Sequence, residues 1–132
     1  MDRSEAERRV LRDMPSSAKK LRFIETVVPV VPIDELALAP DFVKIDVEGF
    51  EVEVLRGMRA TIERCMPIFM IEYYPGGMAA ISQILHPLGY RAYVFDRRAD
   101  AFRPHDEEEG ADNVFYLTPA QRRTLPMCGS PV

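Results

Sequence analysis

The sequence predicts an α/β fold, because two short apolar segments flank a stretch with helical periodicity. Residues 42–47 (FVKIDV) and 68–73 (IFMIEY) have the length and apolar content of strands buried in a parallel sheet. Between them, apolar side chains recur at helical spacing at Val54, Leu55, Met58, Ile62 and Met66. A strand, a helix and a second strand within roughly thirty residues make a βαβ unit. We therefore expect the two strands to be parallel and joined by a right-handed crossover.

The chain before the first strand is predicted to hold a helix, an extended segment and a short second helix. Residues 4–14 have a narrow apolar stripe and a capping box at their start, and a proline follows them. Residues 21–31 are rich in β-branched side chains, which favours an extended backbone, although prolines there indicate an edge or a broken strand. Residues 33–39 are expected to form the short helix, with Asp34 near its start.

After the second strand, the pattern predicts a helix and then two strands separated by a charged loop. The helix is marked by Ile81, Ile84, Leu85 and Leu88. It is expected to end at Gly89, and a third strand follows at residues 90–95. Residues 96–112 are interpreted as a loop whose acidic run, 106–109, is solvated surface rather than a calcium loop. Residues 113–117 form the last predicted strand.

A helix start and an irregular tail are expected at the end of the chain. Thr118 can cap a helix, with Pro119 in its first turn and Gln121 completing a capping box. The tail after Pro126 is predicted to be disordered.

Composition limits the kind of protein that this chain can be. Its 132 residues suit a single domain, and an apolar content of 47% is ordinary for a protein with a buried core. The formal net charge of −4 argues against a nucleic-acid partner, and no apolar run is long enough to span a membrane. Cys65 and Cys128 form no metal motif, and Cys65 is expected to be a buried thiol rather than half of a disulfide. These features predict a cytoplasmic protein.

Several segments of the chain match the pattern of one enzyme family. They are residues 44–51 (KIDVEGFE), 54–57 (VLRG), Pro67 with 71–73 (IEY), 88–90 (LGY) and 113–116 (NVFY). Spread over residues 27–119, these segments resemble the FkbM-type methyltransferases, which use S-adenosylmethionine. The acidic segment with the downstream VLRG is the specific part of this resemblance, whereas the two C-terminal segments would be weak signals alone.

The resemblance implies a class I methyltransferase sheet of the Rossmann type. That family begins with a strand, a glycine-rich turn that holds the cofactor, and an acid that binds the ribose. The glycines of this chain are Gly49, Gly57, Gly76, Gly77, Gly89, Gly110 and Gly129, and none forms a Gly-x-Gly after an apolar strand. We therefore expect a partial sheet that lacks the N-terminal cofactor-binding strands, with no cofactor-binding residue assigned. The expected organisation is a helix and linker at 1–20, the C-terminal methyltransferase half at 21–125, and a flexible tail at 126–132.

Acidic residues at the ends of the two parallel strands are the candidate catalytic groups. Asp46 and Glu48 follow the first strand, and Glu72 ends the second. Ligands of α/β folds bind at such carboxyl ends, and the resemblance implies that Asp46 and Glu48 face the transferred methyl group. A carboxylate there can remove the hydroxyl proton of an acceptor, and neighbouring carboxylates can share a proton or a cation. Tyr73 and Tyr74 are candidates for lining the acceptor pocket.

Structural roles are alternatives for the same residues. Asp46 could cap the following helix, Glu51 could complement the dipole of that helix, and Lys44 could neutralise one of the acids. No metal site is assigned, because His86 and His105 fall away from this rim in the predicted order of elements.

Two functions of different classes follow from these observations. The first is methyl transfer to a hydroxyl of a small molecule or sugar, with an N-terminal half that another chain supplies or that is missing from this sequence, so that the isolated chain is inactive. The second is a non-catalytic remnant that binds partners or forms oligomers. In either case strand 42–47 would lack a neighbour, and an apolar edge favours pairing with another chain. The expected partners are a small-molecule acceptor and either a second copy of the chain or the complementing half.

Overall fold

The computed structural model describes Ile24 and residues 26–72, 76–106 and 110–128. The chain divides into two compact units, residues 1–30 and residues 31–132. In the first unit, residues 26–30 have no regular secondary structure, so the described part of the predicted extended segment forms no strand. The predicted helix at 4–14 lies outside the described residues. Among the helices that are described, none is long and apolar enough to cross a membrane.

The second unit is built on a mixed sheet, in which five strands are described. They are Phe42–Ile45 (β1), Ile68–Glu72 (β2), Arg91–Asp96 (β3), Ala101–Pro104 (β4) and Asn113–Leu117 (β5). Their order across the sheet is β1-β2-β5-β3-β4. The predicted parallel pairing of the two strands is confirmed, because β1 and β2 are parallel, whereas the other three pairs are antiparallel. Within the described residues β1 is an edge strand, as expected.

Helices connect these strands. The α-helices are Glu51–Gly57 (α1), Arg59–Cys65 (α2), Met78–Leu85 (α3) and Pro119–Arg122 (α4), and short 3-10 helices cover Ile33–Leu36 and His86–Leu88. The capping box at Thr118 and Gln121 is present at the start of α4, as predicted. Gly89 ends the second 3-10 helix with a φ of 90°, a conformation that glycine adopts without steric cost.

The two faces of the sheet differ, because successive side chains of a strand point to opposite sides. One face carries the core, in which strand and helix residues pack together: Ile45, Phe69, Ile71, Val114 and Tyr116 with Leu55, Met58, Ile62, Ile81 and Leu85. The other face, called the second face here, carries the paired residues Lys44, Met70, Phe115 and Tyr93 and also Phe95 and Phe102. None of these six residues belongs to the core cluster.

The helix predicted from Gly49 to Met66 is wrong as a single element, because it breaks at Met58. Met58 has φ −124° and ψ 20°, which ends α1 and begins α2. Asp34 of the first 3-10 helix caps the new start, since its Oδ1 accepts a hydrogen bond of 2.8 Å from Thr61 N. Gly57 at the break lies against Pro32, whose Cα would be 3.5 Å from a Cβ at position 57. The close neighbour of Gly57 is therefore Pro32 rather than the sheet.

The predicted charged loop at 96–112 also needs correction, because it contains β4. Asp96 Oδ1 accepts a hydrogen bond from Arg98 N, which stabilises a tight turn between β3 and β4. Phe102 of β4 then makes T-shaped contacts with Phe95 and Phe115, each with ring centroids 5.1 Å apart. Aromatic packing on the second face thus outweighs the polar composition of this segment.

The start of the predicted disordered tail is ordered. Pro126 O accepts a hydrogen bond from Phe102 N, and Cys128 N donates one to Phe102 O, both at 2.8 Å. The chain therefore returns to β4 at residues 126–128. Cys65 and Cys128 are both thiols, and Cys65 is partly exposed rather than buried.

Candidate functional site

Three acidic side chains meet at the carboxyl ends of β1 and β2. Asp46 and Glu48 follow β1, Glu72 is the last residue of β2, and one carboxylate oxygen from each lies within 4.8 Å of the other two. The structure therefore brings together all three acids that the sequence nominated. Tyr73 and Tyr74, the candidate acceptor-binding residues, lie outside the described residues.

The acids belong to the second face of the sheet rather than to the core face. Lys44 pairs with Met70 in the β1–β2 register, and Glu72 follows two residues after Met70, so these side chains share one face. Asp46 joins them, because Lys44 Nζ donates a hydrogen bond of 2.8 Å to Asp46 Oδ2. The buried neighbours Ile45 and Ile71 point the other way, into the core.

The pKa values of Asp46 and Glu72 are shifted in opposite directions. The hydrogen bond from the Lys44 ammonium, together with one shared with Glu72, lowers the pKa of Asp46 below its usual range. The same hydrogen bond to Asp46 and the negative charge of Asp46 raise the pKa of Glu72. Asp46 is therefore the ionised partner, and Glu72 is the one that holds a shared proton longer as the pH rises.

Two structural alternatives for these residues can now be compared with the geometry. Lys44 does neutralise Asp46, as one interpretation held, and their ion pair is about half exposed. Asp46 does not cap α1, because the cap residue of that helix is Phe50 and no side chain there accepts a hydrogen bond from the helix. The ion pair and a role in chemistry are compatible, since a neighbouring ammonium favours the ionised carboxylate.

Glu51 is a site residue that sequence reasoning placed in a different role. It is in the first turn of α1 but only 1% exposed, so it is buried rather than a surface acid beside the helix dipole. Its Oε1 accepts hydrogen bonds from Val47 N at 3.3 Å and Gly49 N at 3.1 Å. Both amides belong to the turn that carries Asp46 and Glu48, so Glu51 holds that turn in place. Its Oε2 is buried and has no hydrogen-bond partner among the described residues.

The turn itself has an unusual backbone. Glu48 has φ 55° and Gly49 has φ 98°, so two successive residues adopt left-handed conformations. Glycine takes this conformation freely, but a residue with a Cβ pays roughly 1 kcal/mol for it. A strained acid held by a buried carboxylate is typical of a functional turn.

The three-acid cluster has oxygen atoms close enough to hold a hard divalent cation in principle. One carboxylate oxygen of Asp46, Oδ2, already contacts the Lys44 ammonium. We therefore interpret the cluster as a site of proton transfer rather than as a metal site.

A cavity of about 290 Å³ opens on the second face, and Asp46, Glu48 and Glu72 are not among its described lining residues. Its lining includes Met70, Phe95, Phe115, Arg97, Arg103, Asp112 and Asn113. Asn113 is the direct register partner of Glu72, so the cavity and the acidic cluster are adjacent along one end of the sheet. Sequence reasoning missed this cavity, because part of its lining belongs to the segment that was interpreted as a loop.

Comparison with known proteins identifies the family. The family model for the methyltransferase FkbM domain matches residues 4–92, which is more than half of the chain. The match begins well before residue 27 and stops before the 113–116 segment, so it places the resemblance further toward the N-terminus than the motifs did. Searches of curated proteins and of solved structures found no match to this chain. The chain therefore belongs to the FkbM methyltransferase domain family.

Proposed function

We propose that this chain supplies the acceptor side of an S-adenosylmethionine-dependent methyltransferase site that acts on a hydroxyl group. The observation that carries the proposal is the pairing of Asp46 with Glu72 at the carboxyl ends of parallel strands. Membership of the family supplies the reaction class, and the carboxylate pair supplies a group that can accept the proton of a hydroxyl.

Asp46 is the proposed general base. Its lowered pKa keeps it ionised at neutral pH, and its Lys44 partner orients it from one side. When a hydroxyl of the acceptor loses its proton, Asp46 accepts that proton, and the oxygen becomes the nucleophile. Because the hydrogen bond and the negative charge of Asp46 raise the pKa of Glu72, Glu72 gains a proton before Asp46 does as the pH falls, and its carboxyl oxygens can accept a hydrogen bond from the bound hydroxyl. Glu51 positions Asp46 through the turn and does not touch the acceptor.

The described residues fit an acceptor better than they fit the cofactor. The backbone amides of Val47 and Gly49, at the turn before α1, already donate to Glu51, so they are not presented to the carboxylate of a bound methionine moiety. Asp46 and Glu72 are engaged with Lys44 and with each other rather than placed for a ribose. We therefore derive no step through S-adenosylmethionine and infer that other residues hold it, in this protein or in a partner.

Calorimetry with S-adenosylmethionine tests this division of roles. The isolated 132-residue chain is expected to bind the cofactor no more tightly than about 1 mM, because the turn amides of Val47 and Gly49 already donate to Glu51 and the sequence has no Gly-x-Gly after an apolar strand. S-adenosylhomocysteine serves as the second probe, since it lacks the methyl group and the positive charge. A dissociation constant in the low micromolar range for either compound would contradict the proposal and require a cofactor site on this chain.

The open edge of β1 favours a second proposal, that the chain works in an assembly. In the β1–β2 pair Asp41 O accepts from Ile68 N, and the alternation of a parallel ladder then turns the amides of Phe42 and Lys44 away from β2. Phe42 is also 51% exposed. An apolar edge with outward-facing amides favours pairing with another strand. We propose that a second copy of the chain or a complementing half of the domain covers it.

Light scattering and hydrogen exchange test the assembly. We expect a dimer or a larger species at micromolar concentration, with the amides of Phe42 and Lys44 protected from exchange in that species. Phe42→Lys should return the protein to a monomer, because a charge on an edge strand discourages pairing. A monomer in which these two amides already exchange slowly would show that the chain covers its own edge.

A further inference from the structure

We propose that the cavity beside the acidic cluster binds the acceptor, and that the acceptor is a small hydroxylated ring that carries a carboxylate or a similar anionic group. This inference rests on the proposed methyl transfer to a hydroxyl, and it adds the place and the chemical class of the acceptor. The position, the walls and the charge of the cavity support this inference.

The position of the cavity follows from the register of the sheet. Glu72 pairs with Asn113, and Met70 pairs with Phe115, so two lining residues of β5 lie directly beside β2. Lys44 pairs with Met70 on the other side. The cavity and the Asp46–Glu72 pair therefore lie on the same face and at the same end of the sheet, with no strand between them.

The apolar walls fit a ring. Met70, Phe95 and Phe115 line the cavity from three neighbouring strands of the second face. Phe102 contacts both phenylalanines edge-to-face, at centroid distances of 5.1 Å, and this contact fixes their rings. A volume of about 290 Å³ is close to the lower limit of small-molecule pockets, so one ring with its substituents is the matching size.

The charged wall fits an anion. Among the described residues that line the cavity, Arg97 and Arg103 are basic and Asp112 is acidic. Arg103 is partly committed to Asp96, because its charge contributes to the lowered pKa of that carboxylate after the backbone hydrogen bonds from residues 98 and 99. Arg97 makes no hydrogen bond or ion pair within the described part of the chain. A guanidinium in this situation is suited to bidentate recognition of a carboxylate or phosphate.

The distance between Arg97 and Glu72 fits the same ligand. Arg97 follows β3, and Glu72 ends β2, with β5 between them. Two strand spacings amount to about 10 Å, and Arg97 lies two residues beyond the position opposite Asn113, so the backbone separation is about 12 Å, which suits one six-membered ring with a polar group at each end and a hydrogen bond beyond each group. The anionic group would bind at Arg97, and the hydroxyl would point toward Asp46 and Glu72.

Protein-observed NMR titration tests this inference with defined probes. 4-Hydroxybenzoate is the first probe, 4-hydroxycyclohexanecarboxylate tests a saturated ring, and 4-hydroxybenzamide is the neutral control of the same shape. We expect either acid to shift the amides of Phe95, Asn113 and Phe115, and the amide probe to bind about ten-fold more weakly or not at all. Which acid binds more tightly identifies the type of ring.

Two matched variants distinguish recognition of the anionic group by Arg97 from a general effect of positive charge. Arg97→Ala should weaken binding of the acid about ten-fold, whereas Arg98→Ala, which removes an equal charge one residue away, should leave it within about two-fold. Equal binding of acid and amide, equal effects of the two variants, or shifts that map away from the cavity would overturn the inference. These binding measurements need no cofactor. If the probes bind but methyl transfer is not observed, the proposed function is overturned and the binding site is retained.

Discussion

Replacing Asp46 with asparagine is expected to reduce methyl transfer by about 10²–10⁴-fold, the range for loss of a general base. The side chain keeps its size and can still hydrogen-bond to Lys44, so folding should be little affected. The assay is formation of S-adenosylhomocysteine by the assembly that contains this chain and the cofactor-binding part, with thermal unfolding measured on the same samples. Full activity in a variant that unfolds earlier would contradict the catalytic role.

Two further variants sharpen this result. Glu53→Gln removes an acid from the exposed side of α1, where Glu53 is within 3.6 Å of Arg56, and it should leave the rate unchanged. Lys44→Met removes the ammonium whose hydrogen bond contributes most to the lowered pKa of Asp46. The pKa of Asp46 should therefore rise in this variant. Because the base must be ionised, the acid limb of the rate profile should move to higher pH in Lys44→Met. An unmoved acid limb would show that Asp46 is not the titrating base.

Glu51→Ala is expected to destabilise the chain by about 1–3 kcal/mol, because it removes two partly buried hydrogen bonds that are worth roughly 0.5–1.5 kcal/mol each. The amides concerned are those of Val47 and Gly49. The variant should also weaken the acidic cluster, since the turn that carries Asp46 loses its anchor. Urea unfolding measures the stability, and amide exchange at residues 46–50 measures the turn.

Glu51→Gln is the matched control for this loss. Glutamine keeps a carbonyl oxygen for the two amides, and its amino group replaces Oε2, for which the described part of the chain offers no hydrogen-bond partner. We expect it to remain within about 1 kcal/mol of the parent chain, with slow exchange in the turn. If Glu51→Ala were as stable as Glu51→Gln, the turn would not depend on this side chain.

The part of the fold that the sequence predicts well is the part with strong periodicity. The β1–helix–β2 unit follows from apolar runs and a regular helical stripe, and its parallel pairing is confirmed. The capping box at Thr118 is local chemistry, so it is also predictable from neighbouring residues alone. The meeting of Asp46, Glu48 and Glu72 follows directly from the parallel pairing, because the carboxyl ends of adjacent parallel strands lie side by side.

The part that the sequence does not predict depends on distant contacts. β4 lies in a polar segment and is held by the contact of Phe102 with two phenylalanines from other strands. The helix break at Met58 depends on Asp34, which is separated from Thr61 by 27 residues. Burial of Glu51 follows from packing and not from its position in the first turn of a helix. A signal for Glu51 was nonetheless present, since an acid just after a glycine turn can accept the amides of that turn.

The most direct test of the central claim is a titration of the side-chain carboxyl carbons of Asp46 and Glu72 by NMR. The account predicts that Asp46 titrates below the usual range of aspartate and Glu72 above that of glutamate, because the Lys44 ammonium and the shared hydrogen bond act in opposite senses on the two groups. Asp46→Asn should move the pKa of Glu72 back toward its ordinary value of about 4.3. Independent titration of both groups near ordinary values, unchanged by Lys44→Met, would contradict the claim that these two carboxyls form a base and its proton-bearing partner.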